Sequence, residues 1–228
     1  MTEERIIRYA LEEGFANAAI VDTTDIVFDP SFRPYCEENL CGQYGANYSC
    51  PPDCGSPETM KQRVLAHKKA LVLQTIWEIS DYSDFSLIKP AKASHNASEI
   101  RLVKRLRAEG VPGFIVGASG CALCSPCKQT LGQPCSFPEY QYSCMSAYCI
   151  FVKKLADKCC MEYDCGEGLL AFFGMYVFDK FELRICYTVK TIHKRKEMTY
   201  EYIHQPWQSC RIAGIHHCSR KGTVCKDR

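Results

Sequence analysis

Apolar and polar residues follow two different periods along this chain. Residues 1–15, MTEERIIRYALEEGF, place apolar positions at helical spacing with glutamates in the first turn, which predicts an amphipathic N-terminal helix. NAAIVDTTDIVFD, from Asn17, is rich in β-branched residues and reads as one strand or a pair. After a cysteine-rich loop, Ser56-Pro57-Glu58 offers a helix start for ETMKQRVLAHKK, and ALVLQTIWEI reads as a buried strand. SDYSDFSLIKPAKA looks like a polar connection. SHNASEIRLVKRLRAEG has a Ser or Asn start and a glycine stop, the signature of a helix, and the strand GFIVGASG follows. A second cysteine-rich loop, a helix over SCMSAYCIFVKKLADKC and an aromatic-rich strand, LLAFFGMYVF, close the series. Helices and strands interleave, so the expected fold is α/β or α+β: a layered sandwich carrying cysteine-rich metal loops at the ends of its elements.

At 228 residues and 46% hydrophobic, the chain can bury a core of its own, so disulfide stapling is not the reason for its 17 cysteines. The N-terminus lacks the apolar stretch and small-residue cleavage site of a secretory signal, and no apolar run is long enough to cross a membrane. A cytoplasmic location is expected, where clustered thiols point to metal or redox chemistry. A net charge of +2 argues against nucleic acid or a membrane as partner. The sequons at Asn47 and Asn96 carry no weight, because such short patterns arise by chance. No phosphate loop, dinucleotide fingerprint or nucleophile elbow is present to suggest other chemistry.

The sharper signal is CALCSPCKQTLGQPC. Cys121, Cys124 and Cys127 form C-x2-C-x2-C, and Cys135 follows with Pro134 before it. Repeated two-residue spacers wrap the backbone so that three thiolates face one small object, and a cubane iron–sulfur cluster offers several iron corners to such a loop. A zinc ion usually takes two cysteines from each tight loop, so the third exceeds its ordinary need. The first loop spaces Cys36, Cys41, Cys50 and Cys54 more loosely, with Gly42 and Gly45 permitting bends and Pro51-Pro52 stiffening the segment. That leaves its ligand set open.

CGQYGANYSCPP, then GCALCSPCKQTLGQPCSFPE, then LLAFFGMYVF resemble, in this order, a prokaryotic family labelled predicted metal-binding protein, a domain of unknown function, over about residues 5–180. The resemblance implies metal binding, with a 4Fe-4S cluster, one or two per chain, as the natural cofactor and zinc as the alternative. It implies Cys36, Cys41 and Cys50 as one set and Cys121, Cys124, Cys127 and Cys135 as another. Cys54 falls outside the family pattern, so the first set is expected to keep an open coordination position unless Cys54 fills it. The family's Ser-Met-Glu-Ala-Tyr-Gly stretch is here Cys144-Met145-Ser146-Ala147-Tyr148-Cys149, which removes a carboxylate and a glycine. Cys159, Cys160 and Cys165 exceed the pattern and read as incidental or redox-sensitive thiols.

Residues 1–180 are therefore expected to form the metal-binding domain. Residues 181–228 form a basic extension with Cys210, Cys218, Cys225, His216 and His217, expected to be poorly ordered and matching no standard zinc module. His67 is expected to be solvated on a helix, His95 to sit at a helix start, and Trp77 and Phe172-Phe173 to pack the sheet. The leading functional reading is electron transfer or reductive chemistry with a redox partner protein or small substrate. The rival reading is a zinc-stabilised adaptor without redox activity.

Overall fold

The strands β2 (Lys69–Glu78) and β5 (Leu169–Phe178) pair antiparallel along their whole length and form the centre of the sheet. The computed structural model describes residues 1–179 in full and, beyond them, the backbone of two strands. Around the central pair the order is β1-β2-β5-β3-β4, with β1 (Asn17–Asp22) on one edge and β3 (Gly113–Gly117) and β4 (Ser143–Cys144) on the other side. All pairings are antiparallel except β3 with β4, so the sheet is mixed and the fold is α+β.

The central strands are apolar on both faces because both faces are covered. Side chains alternate along a strand, so Ala70 and Val72 of β2 and Phe173, Met175 and Val177 of β5 point one way. They pack with Met60 and Val64 of α3 (Pro57–Leu65) and with Leu155 and Ala156 of α5 (Val152–Lys158). Thr75 and Gly174, of the opposite parity, face α4 (Phe85–Ala108). The amphipathic α1 (Glu3–Glu12) lies beside α4, joined by Arg105–Glu12 at 2.6 Å and Arg5–Glu109 at 2.9 Å. Such surface pairs contribute about 0–1 kcal/mol each, so buried Ile6, Leu71, Leu73, Leu102 and Leu106 do most of the holding.

Three elements differ from the sequence reading. The helix expected to start near Ser94 begins at Phe85, capped by Asp84, whose Oδ1 accepts the Ser86 N–H at 2.8 Å. The cap and the burial of Ile88 and Ala91 outweigh both Pro90 inside the helix and the polar composition that made the segment read as a connection. The helix expected from Ser143 starts only at Val152, because Ser143 and Cys144 join the sheet beside Val116 and Gly117, and Cys149 takes a left-handed φ of 55°. The glycine that the resemblance leads one to expect there would meet this conformation without strain. The single strand or pair read from Asn17 is β1 followed by a 3-10 turn at Thr23–Asp25 and a lone bridge from Phe28 to Ile150.

His95 is not a helix-start residue but lies mid-helix and fully buried. His67 sits past the end of α3, with Nδ1 3.2 Å from Asp179 Oδ2. Phe172 and Phe173 are buried on opposite faces of the sheet, and Trp77 packs partly buried against the Ile79 cluster.

By its contacts the chain divides into two compact units, Met1–Lys180 and Phe181–Arg228. In the second, β6 (Tyr187–Lys194) and β7 (Glu197–His204) form an antiparallel hairpin. Cys210, Cys218, Cys225, His216 and His217 lie outside the described residues. Among the described residues no helix is long and apolar enough to cross a membrane.

Candidate metal centre

The second cysteine loop leaves the sheet at the end of β3 and is fixed there by α4. Asn96 on α4 accepts the Ala118 N–H at 2.9 Å through Oδ1 and donates to Ser119 Oγ at 2.7 Å through Nδ2. Tyr142, packed against Gly117, accepts the Ala122 N–H at 3.3 Å through its hydroxyl. Cys121 therefore emerges at a defined place. Burial pushes its thiol pKa up, and backbone N–H groups of Leu123 and Tyr142 directed at the sulfur pull it back. Farther along, Phe137 N–H donates to Cys135 Sγ at 3.4 Å, and the Cys127 carbonyl caps a 3-10 turn by accepting Thr130 Oγ1 at 2.8 Å. N–H groups aimed at sulfur favour the thiolate that a metal requires.

The first loop hangs from α2 (Arg33–Glu37), which carries Cys36. It turns through Asn39, whose side chain accepts the Tyr44 N–H at 2.9 Å, and ends in a helical turn in which Cys54 N–H donates to Cys50 O at 3.0 Å. Cys41 is exposed, Cys50 buried, and Cys36 and Cys54 half-buried. Burial raises the Cys36 pKa to about 11, and the nearby Cys144 adds to the rise while Arg33 opposes it. Cys50 is pushed up further, by burial first and then by Cys144 and Cys41. Cys54 has its sulfur 3.9 Å from Arg33 Nη1, whose charge offsets part of the rise caused by burial, and Cys54 in turn adds to the rise at Cys50.

Four hydrogen bonds join the two loops directly. Asn47 Nδ2 donates to Cys121 O at 2.8 Å, and Cys121 N–H donates back to Ser49 Oγ at 3.2 Å. Tyr48 OH donates to Gln133 O at 2.8 Å, and Gln129 Nε2 to Asp53 Oδ2 at 3.1 Å. Gly120 approaches so closely that a Cβ there would stand 3.0 Å from Cys50 Sγ. Asn47 and Ser49, dismissed in the sequence as a chance sequon, are buried fasteners between the loops. Nothing in their local sequence announces this, because their partners lie more than seventy residues away.

The structure thus brings Cys36, Cys41 and Cys50 into one neighbourhood and sets it against the loop that carries Cys121, Cys124, Cys127 and Cys135. Cys54, beside Arg33, and Cys144, at the end of β4, both act on Cys50 as well. Cys159 and Cys160 follow α5, and Cys165 donates to Glu162 O at 3.6 Å, so these three occupy another region of the chain. Among the described residues no three Cys, His, Asp or Glu side chains are grouped closely enough to hold a single metal ion. The donors in both loops are thiols, accompanied in the second loop by N–H groups, a set whose chemistry fits a soft, thiolate-binding metal centre. Two surface concavities, one lined by Lys153, Cys160 and Glu162 and the other by Glu78, Leu87 and Leu169, include no residue of either loop.

No curated protein and no solved structure matches the chain. The family model described as predicted metal-binding protein (DUF2284) matches residues 19–178, which take in both cysteine loops, all of the five-stranded sheet but the first two residues of β1, and more than two-thirds of the chain. The chain belongs to this family of predicted metal-binding proteins.

Proposed function

We propose that this protein binds iron–sulfur clusters at its two cysteine loops and works in electron transfer. The observation that carries the reading is the direct hydrogen bonding between the loops through Asn47, Tyr48, Ser49 and Gln129. Two thiol sets held against one another in a fixed arrangement suit exchange of electrons between them, whereas loops at opposite ends of the sheet would not. Cys121, Cys124, Cys127 and Cys135 would hold one cluster, and Cys36, Cys41 and Cys50 belong to the second. An iron–sulfur cluster, when bound, takes up and releases electrons one at a time at a potential set by its surroundings.

This chain's own groups supply those surroundings. N–H donors at Cys121 and Cys135 stabilise negative charge on sulfur, which favours the reduced state. Exposed Cys41 places the first set at the surface, within reach of a redox partner protein or a small acceptor. Whether the same set also acts on a substrate depends on its ligand count, because reductive chemistry at a metal needs an open position.

The test is the iron, sulfide and zinc content of the full chain purified without oxygen, with its visible spectrum, for the wild type and Cys124→Ser. Iron with matching sulfide, and a broad visible band that weakens in the variant, are the expected results. Zinc without sulfide or colour would replace this reading with a metal-stapled scaffold.

A further inference from the structure

We propose that the two cysteine loops together form the docking surface for a redox protein with a basic face. The inference rests on the electron-transfer reading above and goes beyond it by naming the chemistry of the partner.

Large apolar residues stand in solvent beside the cysteines of both loops. Tyr35, next to Cys36, is 68% exposed, and Leu40, next to Cys41, is 86% exposed. On the second loop Leu131 is 55% and Phe137 44% exposed. Phe137 is held at Cys135 by its own N–H, which donates to Cys135 Sγ at 3.4 Å. Leu131 lies between Gln129 and Gln133, the two residues that bond to Asp53 and Tyr48 of the first loop, so it belongs to the joint between the loops. Exposed aromatic and aliphatic groups on two loops that are bonded to each other mark a contact surface, whereas single ones scattered over a protein do not.

The charges around these groups are mostly of one sign. Glu37, Glu38, Asp53 and Glu139 are exposed, and among the described residues none of the four is in an ion pair. Glu12 and Glu13, by contrast, are bonded to Arg101 and Arg105. Against those four carboxylates, residues 34–54 and 121–141 hold one cation, Lys128, although the whole chain carries a net charge of +2. Arg33, just before the first stretch, is buried and donates to Ala147 O. Unpaired carboxylates beside apolar side chains suit a partner whose lysines or arginines surround an apolar contact of its own: opposite charge steers the encounter, and apolar contact holds it. Electron-transfer encounters bury little area, so four exposed apolar residues are enough. A second copy of this chain docking through the same face would set like charges against one another.

The experiment uses the full chain purified without oxygen, reduced with dithionite and freed of excess reductant, with ferric cytochrome c, a haem protein ringed by lysines, as the probe. One electron leaves the reduced protein and one enters the haem, which becomes ferrous and is followed by its absorbance. The second-order rate is measured from about 0.01 to about 1 M ionic strength, across which the screening length shrinks from about 30 to about 3 Å. It is expected to fall at least about tenfold. Acetylating the lysines of cytochrome c should remove most of that dependence. Glu37→Lys combined with Glu38→Lys should slow the low-salt reaction about tenfold and flatten its salt dependence. Glu167→Lys, at a concavity that includes no residue of either loop, should match the wild type. Leu40→Ser changes no charge at an exposed position, and should slow the reaction at every ionic strength with the salt dependence kept. Iron and sulfide per chain show that each variant is loaded. Calorimetric affinity of the oxidised protein for ferric cytochrome c is a second readout, expected to fall with salt and in the double variant. A loaded wild type indifferent to salt, or faster with the acetylated probe, would overturn the inference, as would a Glu167→Lys effect equal to that of the double variant. A dimer in ultracentrifugation that Leu40→Ser dissociates would assign the face to a second copy and overturn it too. A wild type free of iron and sulfide would overturn the iron–sulfur reading, and this inference with it.

Discussion

The two cysteine loops reach the same neighbourhood by different routes. The second is local: Cys121 to Cys135 lie in one segment between β3 and β4, and a single helix, α4, anchors its start through Asn96. The first is assembled. Cys36 sits on α2 and Cys41 and Cys50 in the loop beyond it, and Arg33 ties α2 to Ala147, a residue far along the chain. A local set depends on its own spacing, whereas an assembled set depends on the fold being intact. The second should therefore be sensitive to its ligands alone, and the first to ligands and scaffold together.

The largest effect expected is at the local set. Cys124→Ala should remove the second metal centre, seen as a loss of about half the iron, while the first set keeps its own. Loss of both centres together would show that the sets do not load independently. Arg33→Met tests the assembled set. Removing the charged donor to Ala147 O should cost about 1.5–3 kcal/mol in urea unfolding and lower first-set metal, with the second set unchanged. Equal losses at both sets would erase the distinction between them.

A change in the core, away from both loops, sharpens the comparison from outside. His95 and Glu99 are fully buried on α4, and among the described residues His95 Nε2 and both Glu99 oxygens have no hydrogen-bond partner where they crowd Gly174. Burial lowers the His95 pKa to about 4 and holds the Glu99 carboxyl well above its ordinary range, in each case by disfavouring the charged form. The two shifts act on stability with opposite sign: between about pH 4 and 6.5 the unfolded histidine binds a proton that folded His95 does not, which makes stability rise with pH, whereas folded Glu99 keeps a proton that the unfolded carboxylate has released, which makes stability fall from the ordinary carboxylate range up through the raised Glu99 pKa. Glu99→Gln should remove that decline in denaturant titrations across pH while leaving metal content at both loops untouched. A decline that persists in the variant would place its origin elsewhere.

The smallest effect expected is at the joint. Tyr48→Phe removes one exposed inter-loop hydrogen bond and should cost less than about 1 kcal/mol, with both metal centres retained. Its readout is the coupling between the sets, which should weaken if that contact helps to fix their separation.

The same contrast explains what was legible in the sequence. C-x2-C-x2-C was readable because its donors share one loop, and β2 and β5 because continuous apolar runs can only be buried on both faces. The place of Cys144 beside Gly117 was hidden because β4 is two residues long, and no local period records such a pairing. Asn47, Ser49 and Arg33 were hidden for the same reason, since each acts on a partner far along the chain. The polar segment before Ser94 misled because its composition is local, whereas the burial of Ile88 and Ala91 that makes it helix is not. Cys149 misled in the opposite sense: its left-handed backbone ends a segment whose composition reads as helix.

The adjoining of two thiol sets is the claim on which the electron-transfer reading stands, and magnetic resonance of the reduced protein tests it most directly. After anaerobic purification and reduction with dithionite, the wild type should give a spectrum broadened and split by interaction between two paramagnetic centres. Cys124→Ala and Cys41→Ala should each give a simple, unsplit signal. A wild-type spectrum equal to the plain sum of the two single-site signals, or arising from one centre only, would contradict the pairing of the loops as an electron path.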